Sequence, residues 1–343
     1  MPEATMTAVY LDEPEVTSIR EIPVPEPAPG EVLVKIRSVG ICGSDVHYFE
    51  HGRIGDFVVE EPLILGHECA GTVVKLGEGV ESLSEGQPVA LEPGIPCRHC
   101  DHCLSGNYNL CPDVQFMATP PVDGSFCEYV TSPEDFAFPL PEGMSYEAGS
   151  TAEPMAVACH SARKAGLEPG QTVVVLGAGP VGLFHVGVAD SMGADRIVAV
   201  DLIDARLELA RSMGATCTLN AGSDDVSKLN GCADAVFECS GALPAIQQSL
   251  EVAASGGAVI WIGMGPDEIR IPFAQIQPKE LQIHGVFRYA NCYPMAISLM
   301  GRGRVDPEPM ITHRFEFPEV HEALDFARSH PEETVKVMVN FPE

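Results

Sequence analysis

Apolar and polar positions fall into two textures along the chain. Up to about residue 153, short runs such as 31–37 and 71–74 read as strands, separated by proline and glycine clusters such as 23–30. From about residue 171 the pattern changes. Residues 172–176 form an unbroken β-branched or aliphatic run, which suits a strand buried on both faces. The pattern then predicts a helix over 181–192, a buried strand over 196–200 and a helix over 204–213. Strands follow at 233–238 and 258–262 with a helix at 243–253 between them, then a last strand at 282–287. Strands alternating with helices imply an α/β fold, a parallel sheet wound on both faces. The tail carries a helix near 318–328 and a closing strand at 335–339, and no internal repeat is visible.

The chain has 343 residues, more than the roughly 250–300 that one core usually serves. Two domains are therefore expected: a β-rich one from 1–153 and 291–343, and a doubly wound one from 154–290. A hydrophobic content of 45% supplies apolar material for both cores. Twenty basic residues face 49 acidic ones, a net charge of -29. Such a surface repels phosphates and anionic lipids, so neither a nucleic acid nor a membrane is an expected partner. With six lysines against fourteen arginines, two readings of this charge stay open. One is ordinary solubility; the other is adaptation to a salt-rich cytoplasm, where screening over about 3 Å at 1 M salt removes self-repulsion. The N-terminus has no basic segment before an apolar stretch, and the longest apolar run, 173–184, is too short to span a bilayer. A cytoplasmic protein is expected, with its twelve cysteines as thiols or metal ligands rather than disulfides.

Two groups of residues carry chemistry. The first, Gly177-Ala178-Gly179-Pro180-Val181-Gly182, has the spacing G-x-G-x-x-G directly after a predicted strand and at the start of a helix. There the glycines allow a tight turn and let backbone amides approach a pyrophosphate, helped by the positive end of the helix. Asp201 ends the next strand, nineteen residues after Gly182. An acid there accepts hydrogen bonds from the adenosine ribose and repels a 2′-phosphate, which favours NAD over NADP. Arg206 fits either a 2′-phosphate or stacking beside the adenine. The second group is cysteine-based. Cys97, Cys100, Cys103 and Cys111 place four thiols within fifteen residues of a polar segment, the spacing of a structural zinc cage. His99 and His102 read as solvated neighbours. Cys42, His67, Glu68 and Glu153 are dispersed, and each alone is compatible with core packing.

The motif Gly66-His67-Glu68-x2-Gly71-x5-Gly77-x2-Val80, with the dinucleotide fingerprint about 110 residues downstream, resembles the zinc signature of the medium-chain dehydrogenase family. The resemblance covers nearly the whole chain and is closest in the sorbitol and xylitol (polyol) branch, through 42–48, 116–121 and 285–289. It implies a Rossmann domain plus a β-rich, GroES-like catalytic domain, with a cleft between them. It further implies a catalytic zinc on Cys42, His67 and Glu68, with Glu153 acting through a water, and a structural zinc on the four cysteines, two ions per chain. Related alcohol dehydrogenases carry a cysteine at the Glu153 position, so the carboxylate suits the polyol branch. Ser44 and His47 resemble a proton relay. Tyr48, Phe116, Thr119, Glu153, Arg288 and Tyr289 resemble polyol contacts. Gly177, Gly179, Pro180, Val181, Gly182, Asp201, Arg206, Ile262, Gly263, Met264, Phe287 and Arg288 are the implied NAD contacts. Arg288 could equally serve an interdomain ion pair.

The function so implied is NAD-linked oxidation of a secondary hydroxyl of a small polyol to a ketone, by a homodimer or homotetramer. Oxidation of threonine, glucose or a simple secondary alcohol is the rival within enzymes. A zinc-free nucleotide-binding relative is the rival outside them, although Cys42, His67 and Glu68 are all present.

Overall fold

A computed structural model describes residues 4–342. The chain divides into two compact units, Met1–Glu153 with Met310–Glu343, and Pro154–Pro309. The first is built on a seven-stranded sheet in the order Ala137–Pro139, Pro88–Leu91, Glu68–Leu76, Glu31–Gly40, Lys336–Asn340 and Ile311–Glu316, with Tyr129–Pro133 also paired to Glu31–Gly40. A smaller sheet joins Val16–Pro23, Thr5–Glu13 and Leu63–Ile64. The central strand Glu31–Gly40 buries Val32, Leu33, Val34, Ile36 and Val39 completely, so this strand is apolar on both faces. The register across the middle sets Gly40 opposite both Glu68 and Met338.

The second unit holds six parallel strands in the order Cys217–Asn220, Arg196–Asp201, Thr172–Leu176, Ala233–Glu238, Ala253–Trp261 and Gln282–Gly285. Counted along the chain this is 3-2-1-4-5-6, the doubly wound order of dinucleotide-binding domains. Val173, Val174 and Val175 are wholly buried, as the unbroken run predicts. The order reverses beside Thr172–Leu176, so the turn after that strand opens at the switch point.

Two expectations are corrected and one strand is added. Residues 291–309 pack with the second unit, not the first. Their helix, Tyr293–Gly301, buries Tyr293, Ala296, Ile297 and Met300, and Val305 lies where a side chain at Gly187 would stand, 2.9 Å from its Cβ position. The last strand ends at Gly285 rather than at 287. The strand Cys217–Asn220, short and only half-buried, had no sequence expectation at all.

Within the first unit, Glu92 follows the strand Pro88–Leu91 and is 2% exposed. Its Oε1 accepts a 2.6 Å hydrogen bond from the Tyr108 hydroxyl. Burial pushes its carboxyl from the ordinary 4.5 up to about 7, against the pull of Tyr108 and with help from Glu153 and Asp135. The folded protein therefore holds this proton more tightly than the unfolded chain. The associated stability is complete below about pH 4.5 and is lost as the pH rises through 7. A shift of this size amounts to roughly 3 kcal/mol. Thermal unfolding at pH 5 and pH 8 should show a smaller alkaline loss for Glu92→Gln than for the parent. Equal losses would mean that Glu92 is ionised throughout.

Candidate active site

Cys42 caps the helix Gly43–His51, and its backbone N–H is held by Asp45 Oδ2 at 2.9 Å. The same carboxylate accepts from Gly66 N–H at 3.0 Å and lies 3.5 Å from Nδ1 of His67. Asp45 is completely buried. It therefore ties the helix start to the turn before the strand Glu68–Leu76 and orients the imidazole, leaving Nε2 free to act as a donor. Burial pulls His67 down, but the Asp45 carboxylate and the Cys42 thiol outweigh it and hold the ring well above the ordinary histidine value. Gly66 takes a left-handed φ of +85° to turn the chain, and the next two residues face the same point. Donor atoms of Cys42, His67 and Glu68 lie within 4.8 Å of one another. A thiol, an imidazole and a carboxylate make a three-ligand set of the kind that zinc takes when a fourth position is kept for water or substrate. The residues present thus fit a catalytic zinc.

Glu153 is 5% exposed, in the first turn of the helix Ala152–Ala165, and is not among those three donors. It stands close enough to be felt by Lys336, Cys69 and Glu92. Lys336, 1% exposed, donates to both oxygens of Glu68 at 2.9 and 2.6 Å. Burial lowers the ammonium's affinity for its proton, but Glu68 and the Cys42 thiol outweigh that and leave it raised.

Phe116, Tyr48, Ser44, His47 and Thr119 all belong to the first unit. The Phe116 ring lies 5.7 Å from that of His67. Tyr48 is buried in the helix that Cys42 starts, and Ser44 and His47 are half-buried in it. The His47 ring meets His51 edge-on at 4.6 Å. Burial and His51 hold His47 below the ordinary imidazole value. Thr119 closes a turn with Phe116 and Val122. In the second unit, Arg288 has a left-handed φ of 57° and stacks its guanidinium 4.7 Å from the centre of the Phe287 ring. Tyr289 is buried, 5.8 Å from the Tyr293 ring.

Cys97, Cys100, Cys103 and Cys111 form a second cluster of donors within 4.8 Å of one another. Amide N–H groups of Cys97 and Cys100 point at Cys111 Sγ and Cys97 Sγ, 3.3 and 3.4 Å away. These amides, with that of His99, favour thiolates, and Cys97 is brought down to about 6. The set fits a closed, four-thiolate zinc site. His99 and His102 are exposed and lie outside it.

The glycine loop behaves as its spacing requires. Gly177 has φ +92°, and a Cβ on Gly182 would fall 1.8 Å from the Gly177 carbonyl oxygen, so helix and loop touch backbone to backbone. A Cβ on Gly179 would meet no protein atom, which leaves room for a pyrophosphate beside the open N-terminus of the helix Pro180–Ser191. Asp201 accepts from Ala178 N–H at 2.6 Å and from Leu202 and Ile203 N–H at 2.8 and 2.9 Å. Arg206 follows in the helix Asp204–Ser212. Gly263 lies on Gly241: a Cβ there would stand 2.1 Å from the Gly241 nitrogen. Ile262 and Gly263 N–H both donate to the Glu238 carbonyl, while Met264 and Phe287 are exposed. Sequence reasoning missed Asp45 and Lys336 as supports of the metal pocket. Asp45 was legible, three residues after Cys42 at a helix start; Lys336 gave no signal.

Residues 28–142 match the model of the alcohol dehydrogenase GroES-like domain, and 180–302 that of the zinc-binding dehydrogenases. A sorbitol dehydrogenase of Bacillus subtilis is 41% identical over 99% of this chain and 98% of its own. A D-xylulose reductase of Saccharomyces cerevisiae is 41% identical over 99% of each. The solved L-idonate 5-dehydrogenase of Escherichia coli superposes with a TM-score of 0.93 at 32% identity over 98% of both chains. With identity at this level along its whole length, and with both metal-donor sets and the glycine loop in place, this chain belongs to the zinc-binding dehydrogenase family.

Proposed function

We propose that the protein oxidises a secondary hydroxyl of a small polyol, of the sorbitol or xylitol kind, to a ketone with NAD. The observation that carries this reading is the donor set of half-buried Cys42 with buried His67 and Glu68, together with the buried carboxylate of Glu153, which is close enough to be felt by Lys336. The names of the relatives point to polyols and ketoses as the substrate class. Zinc bound by the three donors supplies a Lewis acid that brings the loss of a hydroxyl proton close to neutral pH. NAD supplies the hydride acceptor. Glu153, buried and outside that donor set, would accept a hydrogen bond from a water or substrate hydroxyl held there. Ser44 would accept the proton of the reacting hydroxyl as its own hydroxyl hydrogen passes to His47, whose affinity burial and His51 keep below the ordinary imidazole value. Tyr48, Phe116, Thr119, Arg288 and Tyr289 hold the rest of the polyol. Gly177, Gly179, Pro180, Val181, Gly182, Asp201, Arg206, Ile262, Gly263, Met264, Phe287 and Arg288 hold the dinucleotide, and Asp201 sets the preference for NAD.

The edge position of Gln282–Gly285 in its sheet supports pairing with a second copy, hence a homodimer or homotetramer. Among the described residues no helix is long and apolar enough to cross a membrane, in keeping with a cytoplasmic protein.

Cys42→Ser should abolish most turnover while NAD binding stays nearly intact, since the dinucleotide loop belongs to the other unit. Metal analysis should give two zinc ions per parent chain. Full turnover by metal-free protein would overturn the reading.

Asp201→Ala removes the acceptor of three loop amides as well as the proposed ribose contact. A titration should show NAD binding weakened by about ten- to a hundredfold, with the bias against NADP relaxed. A parent that already prefers NADP would contradict the role of Asp201.

A site that hydrogen-bonds several neighbouring hydroxyls rejects substrates lacking them, because its own polar groups are left unpaired. Xylitol and sorbitol should far exceed 2-propanol in kcat/KM. Arg288→Ala should damage polyol oxidation much more than 2-propanol oxidation. Equal damage to both would assign Arg288 to the cofactor or to the framework.

A further inference from the structure

Lys336 stands on the strand Lys336–Asn340, and its ammonium has three acceptors: Glu68 Oε1, Glu68 Oε2 and, at 3.1 Å, the Ile41 carbonyl. An ammonium has three hydrogens, so its donors are fully used. Ile41 N–H in turn donates to the carbonyl of Val337 at 2.9 Å, and Ile41 directly precedes Cys42. The Glu68 carboxylate lies over Gly40, where a Cβ would stand 2.3 Å from Oε2. One lysine therefore grips both donor-bearing segments, and glycine on the neighbouring strand leaves space for that grip.

Charge explains why a buried cation belongs there. A Cys42 thiolate and the Glu68 and Glu153 carboxylates are three negative charges, against two positive ones from a divalent ion. Lys336 supplies a third and offsets much of the excess negative charge, to which the buried Asp45 carboxylate beside His67 adds a fourth member. A carboxylate whose two oxygens both accept charge-assisted hydrogen bonds has less electron density left to donate. We infer that Lys336 is a positioning residue of the metal centre: by holding both oxygens of Glu68 it makes that carboxylate a shared, weak donor and leaves the ion's charge to act on the substrate.

The inference rests on the reading of Cys42, His67 and Glu68 as the catalytic zinc pocket, and cobalt replacement tests the two separately. Visible spectra and release of cobalt to a chelator are compared for the parent, Lys336→Met, Glu68→Gln and the double variant. The four-cysteine site contributes equally to all and cancels in the differences. Freed from Lys336, Glu68 should donate through both oxygens. Absorption should then weaken towards that of a higher coordination number, and release should slow by about tenfold, the scale on which an outer-shell partner acts. Both changes should vanish in the Glu68→Gln background, because Lys336 acts through Glu68. Should Lys336→Met fail to fold, Lys336→Gln must give the same changes. An unaltered spectrum, faster release, or changes that persist without Glu68 would each show that Lys336 only builds the framework. A parent spectrum that Cys42→Ser leaves unchanged would instead overturn the pocket itself.

Discussion

A carboxylate taken out of water needs a partner, and in the first unit Glu68 takes a cation, a pairing that fixes three strands at once. Glu68, Gly40 and Met338 stand side by side across the sheet, and Lys336 reaches Glu68 from two residues before Met338. Breaking one member of such a buried pair strands the other, at a cost of about 3–5 kcal/mol in comparable cases. The register of the closing strand, the bare face of Gly40 and the position of Cys42 all depend on this contact. The metal pocket is thus part of the sheet's own bonding pattern rather than a loop feature added to it.

The same device recurs at the ends of other strands and loops. Asp45 collects the N–H groups of Cys42 and Gly66. Asp201 collects those of Ala178, Leu202 and Ile203, and Glu238 those of Ser240 and Gly241. Each acid satisfies amides that a sharp turn has removed from any ladder, and the turns at Asp45 and Asp201 carry residues of a candidate site. Charge-assisted hydrogen bonds of this kind are short and strong. They hold a binding surface still without filling it with side chains.

Much of this was legible in the sequence, for physical reasons. The spacing of Gly177, Gly179 and Gly182 reflects three separate steric demands, and the spacing of the four cysteines reflects one tetrahedron. The buried strands announced themselves because a sheet covered on both faces tolerates no polar alternation. Other features left no trace. Lys336 resembles any surface lysine, because what makes it special is a carboxylate 268 positions away. The helix Tyr293–Gly301 went unread, and residues 291–309 around it were assigned to the other unit. Its residues fit either core, and only the hollow at Gly187 decides where Val305 packs. The last strand was read too long because Val286 and Phe287 are apolar, yet the chain leaves the sheet to reach the left-handed turn at Arg288.

The bonding of Asp201 has an evolutionary side. Its two oxygens already hold three amides of the surrounding turns, quite apart from any ligand. A lineage that lost this acid would have to satisfy those amides in some other way, by water or by a second side chain. Any change at this position is therefore a change to the loop as well as to whatever the loop holds.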